Sequence, residues 1–221
     1  MRSPDHVYTP PAVSPLKILY LDDRLLAVDK PAGLLSVPGR GADKADCLWT
    51  RVQHDYPEAL VVHRLDMETS GVVLFARDKG TQSQLGKLFE SRQISKRYTA
   101  VVHGRLAQNE GEIDLPLVAD WPNRPRQKID YESGKPSQTQ YRALEYDPVT
   151  ATTRVELIPI TGRSHQLRIH MMSIGHAIVG DRLYGGVHSL AANRLLLHAN
   201  HISLKMNDTE FPISIDCPAP F

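Results

Sequence analysis

Val61-Val62-His63-Arg64-Leu65-Asp66-Met67-Glu68-Thr69-Ser70-Gly71-Val72-Val73-Leu74-Phe75-Ala76 sets a polar connection of nine residues between two β-branched, apolar runs. The runs read as buried strands. Within the connection, Arg64 and Asp66 are two apart, so an extended backbone puts them on one side and His63 and Leu65 on the other. An Asp beside an Arg has its ionised form favoured, which suits a nucleophile better than an acid. The competing reading is a turn Asp that bonds its own backbone near Thr69 or Ser70.

Upstream, Ile18–Leu21 and Leu25–Val28 flank Asp22-Asp23-Arg24 and predict a hairpin. Residues 30–46 read as a loop. Residues 47–56 read as a short helix, with Asp46 as its cap and Pro57 as its end. Downstream, Asp78 caps a helix over about 79–91, where Leu85, Leu88 and Phe89 share a face. Strands are expected over 94–102, 138–146, 153–158, 195–197, 202–204 and 211–215. A second amphipathic helix covers about 164–174 and stops at Gly175. Strands outnumber helices and many are joined by short turns. The expected fold class is therefore α+β: a mixed, mainly antiparallel sheet flanked by a few helices. Residues 1–16, rich in proline, read as a flexible arm, and 17–221 as one catalytic domain.

Composition narrows the chemistry. The chain has 221 residues, 41% of them hydrophobic, and a net charge of +1. That length buries a sizeable core without disulfides or metal staples. Cys47 and Cys217 form no CxxC pair, and two distant thiols fit a reducing compartment. The first 15 residues have no apolar segment of signal-peptide type, and no run approaches membrane-spanning length. A cytoplasmic protein with no membrane partner is expected. The charge is unevenly spread: residues 77–105 hold seven basic side chains against two acidic, whereas 106–121 hold four acidic and no basic ones. A local basic stretch suits phosphate contact, and equally a solvated helix face.

Common motifs are missing. There is no GxxxxGK[ST], no GxGxxG after a strand and no GxSxG, so nucleotide cofactors and serine hydrolysis are unsupported. His165 and His170 are five apart, about 140° on a helix, too far round to share a metal. No zinc-type ligand spacing occurs. The expectation is no cofactor and no metal. Asp66 as a glycosidase nucleophile is disfavoured because retaining enzymes need two carboxylates about 5 Å apart, and Glu68 is the sole near neighbour in sequence.

Two further clusters stand out. Thr161-Gly162-Arg163-Ser164-His165-Gln166-Leu167-Arg168 places cations at a helix start, where they oppose the macrodipole. Either they serve function or they pair with local carboxylates. Lys96-Arg97-Tyr98 lies on a predicted strand with Lys96 and Tyr98 on one face. Such a Tyr is a base-stacking platform or a core residue.

Taken together, these motifs resemble the RluA family of pseudouridine synthases. Residues 63–71 match its HRLDxxTSG signature, Lys96-Arg97-Tyr98 its KxY element, and residues 162–168 its GRxHQ[IL]R element. Leu34–Arg40, Asp120–Pro125 and Tyr131–Pro136 resemble the short type without an S4 domain, which acts on both 23S rRNA and the tRNA anticodon loop. The resemblance implies isomerisation of uridine to its C-glycoside with no metal or diffusible cofactor. It implies Asp66 as the essential carboxylate, Tyr98 against the flipped base and Arg163 as the cation that holds Asp66 ionised. It implies RNA contacts from Arg64, His63, Lys96, Arg97, His165, Arg168 and Arg124. The partners would be 23S rRNA and tRNA stem-loops, met by a monomer. A non-catalytic RNA-binding protein on the same scaffold is the alternative, opposed by the intact Asp, Tyr and Arg set.

Overall fold

In a computed structural model, residues 8–188, 191–206 and 210–221 are described. They gather into two compact units: one runs to Lys96 and includes Ala199–Pro220, and the other is Arg97–His198 with Phe221.

In the first unit, β1 (Ile18–Leu21) and β2 (Leu25–Lys30) form the expected hairpin. Asp22 closes its turn by accepting the Arg24 and Leu25 amides at 2.8 and 2.7 Å. β2 pairs antiparallel with β4 (Ser70–Ala76), Lys30 opposite Gly71 and Leu25 opposite Ala76. β4 is buried along its whole length, as its unbroken apolar run implies. The two-residue strand β3 (Leu60–Val61) pairs with the end of β4. On its other side β4 neighbours β11 (Leu197–Leu204), which belongs to this unit from Ala199 on, and β12 (Ile213–Asp216) pairs with β11. Gly71 has φ +113°, and a Cβ there would run into the Ala199 backbone. Only glycine lets these two chains lie so close.

α1 (Leu48–Asp55) is capped by Cys47, whose sulfur accepts the Thr50 amide while the Thr50 hydroxyl accepts the Cys47 amide. The expected cap, Asp46, instead forms a two-point bridge with Arg51 at 2.7 and 2.8 Å. Arg51 also donates to Pro11 O at 2.7 Å, and the Tyr8 hydroxyl bonds Asp46 O and Leu35 N. α2 (Lys79–Glu90) is capped by Asp78 as read from sequence, and it packs Leu85 and Leu88 against Val72 and Leu74.

In the second unit, β5 (Ser95–His103, here from Arg97 on), β10 (Thr152–Pro159), β9 (Gln138–Asp147) and β6 (Glu110–Asp114) lie side by side in that order. Each pair is antiparallel. β10 buries Thr153, Val155, Leu157 and Pro159 and leaves the residues between them partly exposed, the period of a sheet with one covered face. β7 (Leu117–Ala119) and β8 (Gln127–Ile129) form a separate ribbon. α3 (Gln166–Ser173) buries Leu167 and Met171 against Val155 and Leu157. It ends at Gly175, φ +85°, where the His176 and Gly175 amides bond Met171 O and Met172 O, a left-handed C-terminal stop. Among the described residues the architecture is α+β with three α-helices, none of them long and apolar enough to cross a membrane.

Candidate active site

In the first unit, what the Asp66 carboxylate can do depends on how its loop is held. The Thr69 amide bonds Asp66 O at 3.1 Å, so residues 66–69 form a turn. Asp66 is half-buried and Arg64 is exposed. On one side of Asp66, the buried Ser36 hydroxyl accepts the Leu65 amide at 3.1 Å and donates to Leu65 O at 2.7 Å. On the other, Met67 O accepts the Gly33 amide at 2.9 Å and the Lys30 ammonium at 2.9 Å. Lys30 is 0% exposed, and its ammonium also donates to Pro31 O and Leu34 O at 2.9 and 2.7 Å. Three carbonyls match the three N–H donors of a lysine. The peptides before and after Asp66 are thereby fixed to the 30–36 loop.

His63 takes a different place from the one expected of it. Its Nε2 accepts the Leu74 amide at 2.8 Å, so the ring is neutral with its proton on Nδ1. Its ring lies 4.9 Å from that of Phe89. Burial, with the Lys96 charge added, pushes its pKa down to about 3. A neutral ring spent on the β4 backbone is a structural group, and the RNA contact expected of His63 is withdrawn. Lys96 is half-buried, and burial lowers its ammonium pKa.

The His63 geometry has a consequence for stability. Its folded pKa lies below the ordinary value of 6.5, so between pH 6.5 and 3 only the unfolded chain takes the proton. Stability contributed by this group is present above pH 6.5 and is lost as pH falls, by up to about 1.4 kcal/mol per unit. His63→Gln keeps an acceptor for the Leu74 amide and removes the titration. Urea midpoints measured at pH 7 and pH 5 should fall less for the variant than for wild type; equal falls would refute the assignment.

In the second unit, Tyr98 stands on β5 opposite Leu157 of β10, half-buried against that unit's core. Arg97 beside it is half-buried. The turn leading into α3 is wired by Gln166, which is buried. Its Oε1 accepts the Thr161 hydroxyl at 2.7 Å and the Arg163 amide at 3.0 Å. Its Nε2 donates to Gln138 O at 2.9 Å and the Thr139 hydroxyl at 3.0 Å. All four hydrogen-bonding positions of the amide are used. This fixes the Arg163 backbone on β9 and leaves its side chain exposed, with Nε 3.5 Å from Pro136 O. His165 precedes α3 in the left-handed region, φ 56°, and its Nδ1 lies 2.7 Å from the Tyr184 hydroxyl.

Arg168 is the second correction. Its side chain is 3% exposed and makes two bonds to Asp181, itself 1% exposed, at 2.8 and 2.7 Å. The Asp181 Oδ1 also accepts the Leu183 and Tyr184 amides at 2.9 and 3.0 Å. Burial alone would raise the Asp181 pKa, but the Arg168 bonds and charge, helped by the two amides, bring it below the usual range. A guanidinium committed in this way cannot meet phosphate, so of the two readings for cations at this helix, Arg168 takes the carboxylate pairing. Arg124 is exposed, its guanidinium 3.1 Å from the centre of the Trp121 ring.

Ser36 and Gln166 lie within motif segments but were given no role, and Lys30 and Asp181 were not singled out by the sequence. For Lys30 the sequence signal is a charge just beyond the apolar Leu25–Val28 run, after Asp29.

Comparison with known proteins agrees with the three motifs. A family model described as RNA pseudouridylate synthase matches residues 24–173, which include Asp66, Tyr98 and Arg163. The chain is 49% identical over 215 residues to the dual-specificity RNA pseudouridine synthase RluA of Escherichia coli K12, covering 97% of this chain and 98% of that one. The RluA of Vibrio parahaemolyticus is 49% identical over 218 residues, covering 97% and 87%. Among solved structures, human RNA pseudouridylate synthase domain containing 1 matches with a TM-score of 0.81 at 27% identity, covering 96% and 87%. A matched model across most of the chain, near-half identity over almost all of it, and a shared fold carry one conclusion: this chain belongs to the RNA pseudouridylate synthase family.

Proposed function

We propose that the chain is a dual-specificity RNA pseudouridine synthase that isomerises loop uridines in both 23S rRNA and tRNA. The observation that carries this is the 49% identity, over 97% of the chain, to enzymes of that name. In the reaction the N1–C1′ bond breaks, the uracil turns, and C5 joins C1′. C5 gives up its proton and N1 ends protonated, so the product is an isomer. The base must leave its stack to be reached, and an unpaired loop lowers the cost.

Asp66 supplies the essential carboxylate from a turn whose flanking peptides are fixed. Tyr98 lies against the flipped uracil, and Arg163 is the cation for the carboxylate; both roles rest on the motif match. A half-buried carboxylate needs such a cation to offset its desolvation. Arg64, exposed beside Asp66, occupies the space the flipped nucleotide leaves, and Lys96, Arg97, His165 and Arg124 contact RNA. The catalytic domain is 17–221, acting as a cytoplasmic monomer.

The test uses a tRNA and a 23S rRNA stem-loop transcribed with uridine tritiated at C5. Tritium release from both is expected. Release from one alone narrows the specificity, and release from neither, with binding retained, overturns the proposal.

A further inference from the structure

Segment 115–137 carries two large aromatic side chains that the core does not use. Trp121 is 67% exposed and Tyr131 is 79% exposed. Each directly follows an aspartate whose side chain builds the turn that displays it. The Asn123 amide bonds Asp120 O at 3.0 Å, and the Asn123 side-chain amide bonds Asp120 Oδ2 at 2.9 Å. Asp130 Oδ1 accepts the Glu132 and Ser133 amides at 3.2 and 2.9 Å, and the Gly134 amide bonds Asp130 O at 2.9 Å.

The segment is firmly tied. β7 and β8 pair from Leu117–Ile129 to Ala119–Gln127. Leu117 and Lys135 exchange both backbone bonds, at 3.0 and 2.8 Å. The Gln127 amide donates to the Tyr184 hydroxyl at 2.8 Å, and the His170 ring bonds Leu115 O at 3.2 Å. The aromatics thus stand on fixed turns.

Around Trp121 the charge is selective, whereas Tyr131 lies between Asp130 and the exposed Glu132. Between Trp121 and Lys128 the cations Arg124, Arg126 and Lys128 occur with no acidic residue. Asp130 is paired with Lys128 at 2.9 Å and Asp120 is bonded to Asn123. The Arg124 guanidinium sits over the Trp121 ring, 3.1 Å from its centre, and backs the indole with a planar cation. Exposed aromatic planes interleaved with cations are what an unpaired nucleic-acid strand needs: π-faces for its bases and positive charge for its phosphates.

We propose that segment 115–137 is a preformed platform for unpaired nucleotides, with Trp121, backed by Arg124, stacking one loop base and Tyr131 another. The occupant is single-stranded RNA of the substrate loop, so the inference rests on the proposed function and adds to it the part of the fold that grips the loop.

Trp121 also supplies the probe. The chain has two tryptophans, and Trp49 is half-buried with its Nε1 donating to Ala59 O at 3.0 Å. Titrating wild-type protein with an anticodon stem-loop should quench tryptophan emission, and Trp121→Phe should abolish the quench. Trp121→Ala should raise KM for the stem-loop about 5- to 150-fold, the range for one base–aromatic stack, with kcat falling much less; Trp121→Phe should recover most of the loss. Tyr131→Ala should raise KM in the same sense. Arg126→Ala should shallow the salt dependence of binding by about one phosphate contact, whereas Trp121→Ala leaves that slope alone. Unquenched emission together with an unchanged KM for Trp121→Ala overturns the platform while wild-type turnover keeps the proposed function standing. Quenching that follows protein concentration without RNA assigns the surface to a second copy and also overturns it. No turnover by wild type on either RNA refutes the proposed function instead.

Discussion

Asp66→Ala is expected to remove tritium release from both RNAs, by about 10⁴-fold or more, the scale on which an essential nucleophilic or basic group is lost. The local geometry argues that this loss will be chemical. The peptides flanking Asp66 are held by Ser36, Lys30 and the Gly33 amide, none of which depends on the Asp66 side chain. The 66–69 turn closes through Asp66 O, a backbone atom. The loop should therefore keep its path, and Tm should move by little. Asp66→Asn, which keeps the shape and removes the charge, should be as inactive as Asp66→Ala. RNA affinity should survive in both, because the proposed stacking and phosphate contacts lie on other residues. Tritium release, Tm and a binding isotherm measured on the same three proteins decide the matter. An Asp66→Asn enzyme with even a tenth of wild-type release would remove Asp66 from the chemistry, and a large drop in Tm would make its role structural.

How far this was legible in the sequence depends on what each element had to bury. β2, β4 and β10 declare themselves, β2 by the apolar Leu25–Val28, β4 by the unbroken run Val72–Ala76 and β10 by the alternation of buried and partly exposed positions. β11 does not. Its centre, His198-Ala199-Asn200-His201, reads as a polar break between strands expected at 195–197 and 202–204, yet it is one strand in which His198 and His201 are buried. His201 is tolerated there because its Nδ1 lies 2.7 Å from Asp216 Oδ1, whereas the buried Asn200 Oδ1 has no hydrogen-bond partner among the described residues. β7 and β8 have three residues each, too few to show a period, and β6 is an acidic edge strand with Ile113 as its one buried residue. At the candidate site, the motifs point to residues but not to the partners that hold them. Arg163 and Arg168 look alike in sequence, five apart at one helix start. One is exposed and the other is spent on Asp181, thirteen residues further on, and a pairing across that loop leaves no local periodicity to read. Lys30 is the same case: a charge in a core is stable only with its three carbonyls, two from its own loop (Pro31 and Leu34) and one from the 66–69 turn (Met67).

The Arg168–Asp181 pair should show the largest stability effect in the chain. Asp181→Asn takes the carboxylate charge from a guanidinium that is 3% exposed. Breaking a buried pair by removing one partner costs about 3–5 kcal/mol, because the remaining charge stays desolvated. For a chain of this length that corresponds to a Tm lower by roughly 6–20 °C. Arg168→Met should cost less than Asp181→Asn as pH falls, and the sign follows from Asp181. In wild type its pKa is depressed by Arg168 against the opposing pull of burial, so the pair contributes stability above the ordinary carboxylate range and loses it as pH drops through the folded value. Without Arg168 the burial effect prevails, Asp181 takes up a proton, and the neutral acid is tolerated where the anion is not. The penalty of Arg168→Met relative to wild type should therefore shrink from pH 7 toward pH 4. That of Asp181→Asn should not shrink through this route, since a guanidinium cannot shed its charge in this range. The Asp181 Oδ1 also orders the Tyr184 amide, and the Tyr184 hydroxyl meets both His165 and Gln127. Loss of the pair should thus loosen the entry to α3 and the base of the 115–137 segment together, and KM for RNA should rise in Asp181→Asn below its new Tm. Thermal unfolding of the two single variants and of Arg168→Met/Asp181→Asn, at pH 7 and pH 4, tests the coupling. If the double variant's loss relative to wild type equals the sum of the two single losses, the side chains do not act as a pair, and the pairing assigned to Arg168 fails.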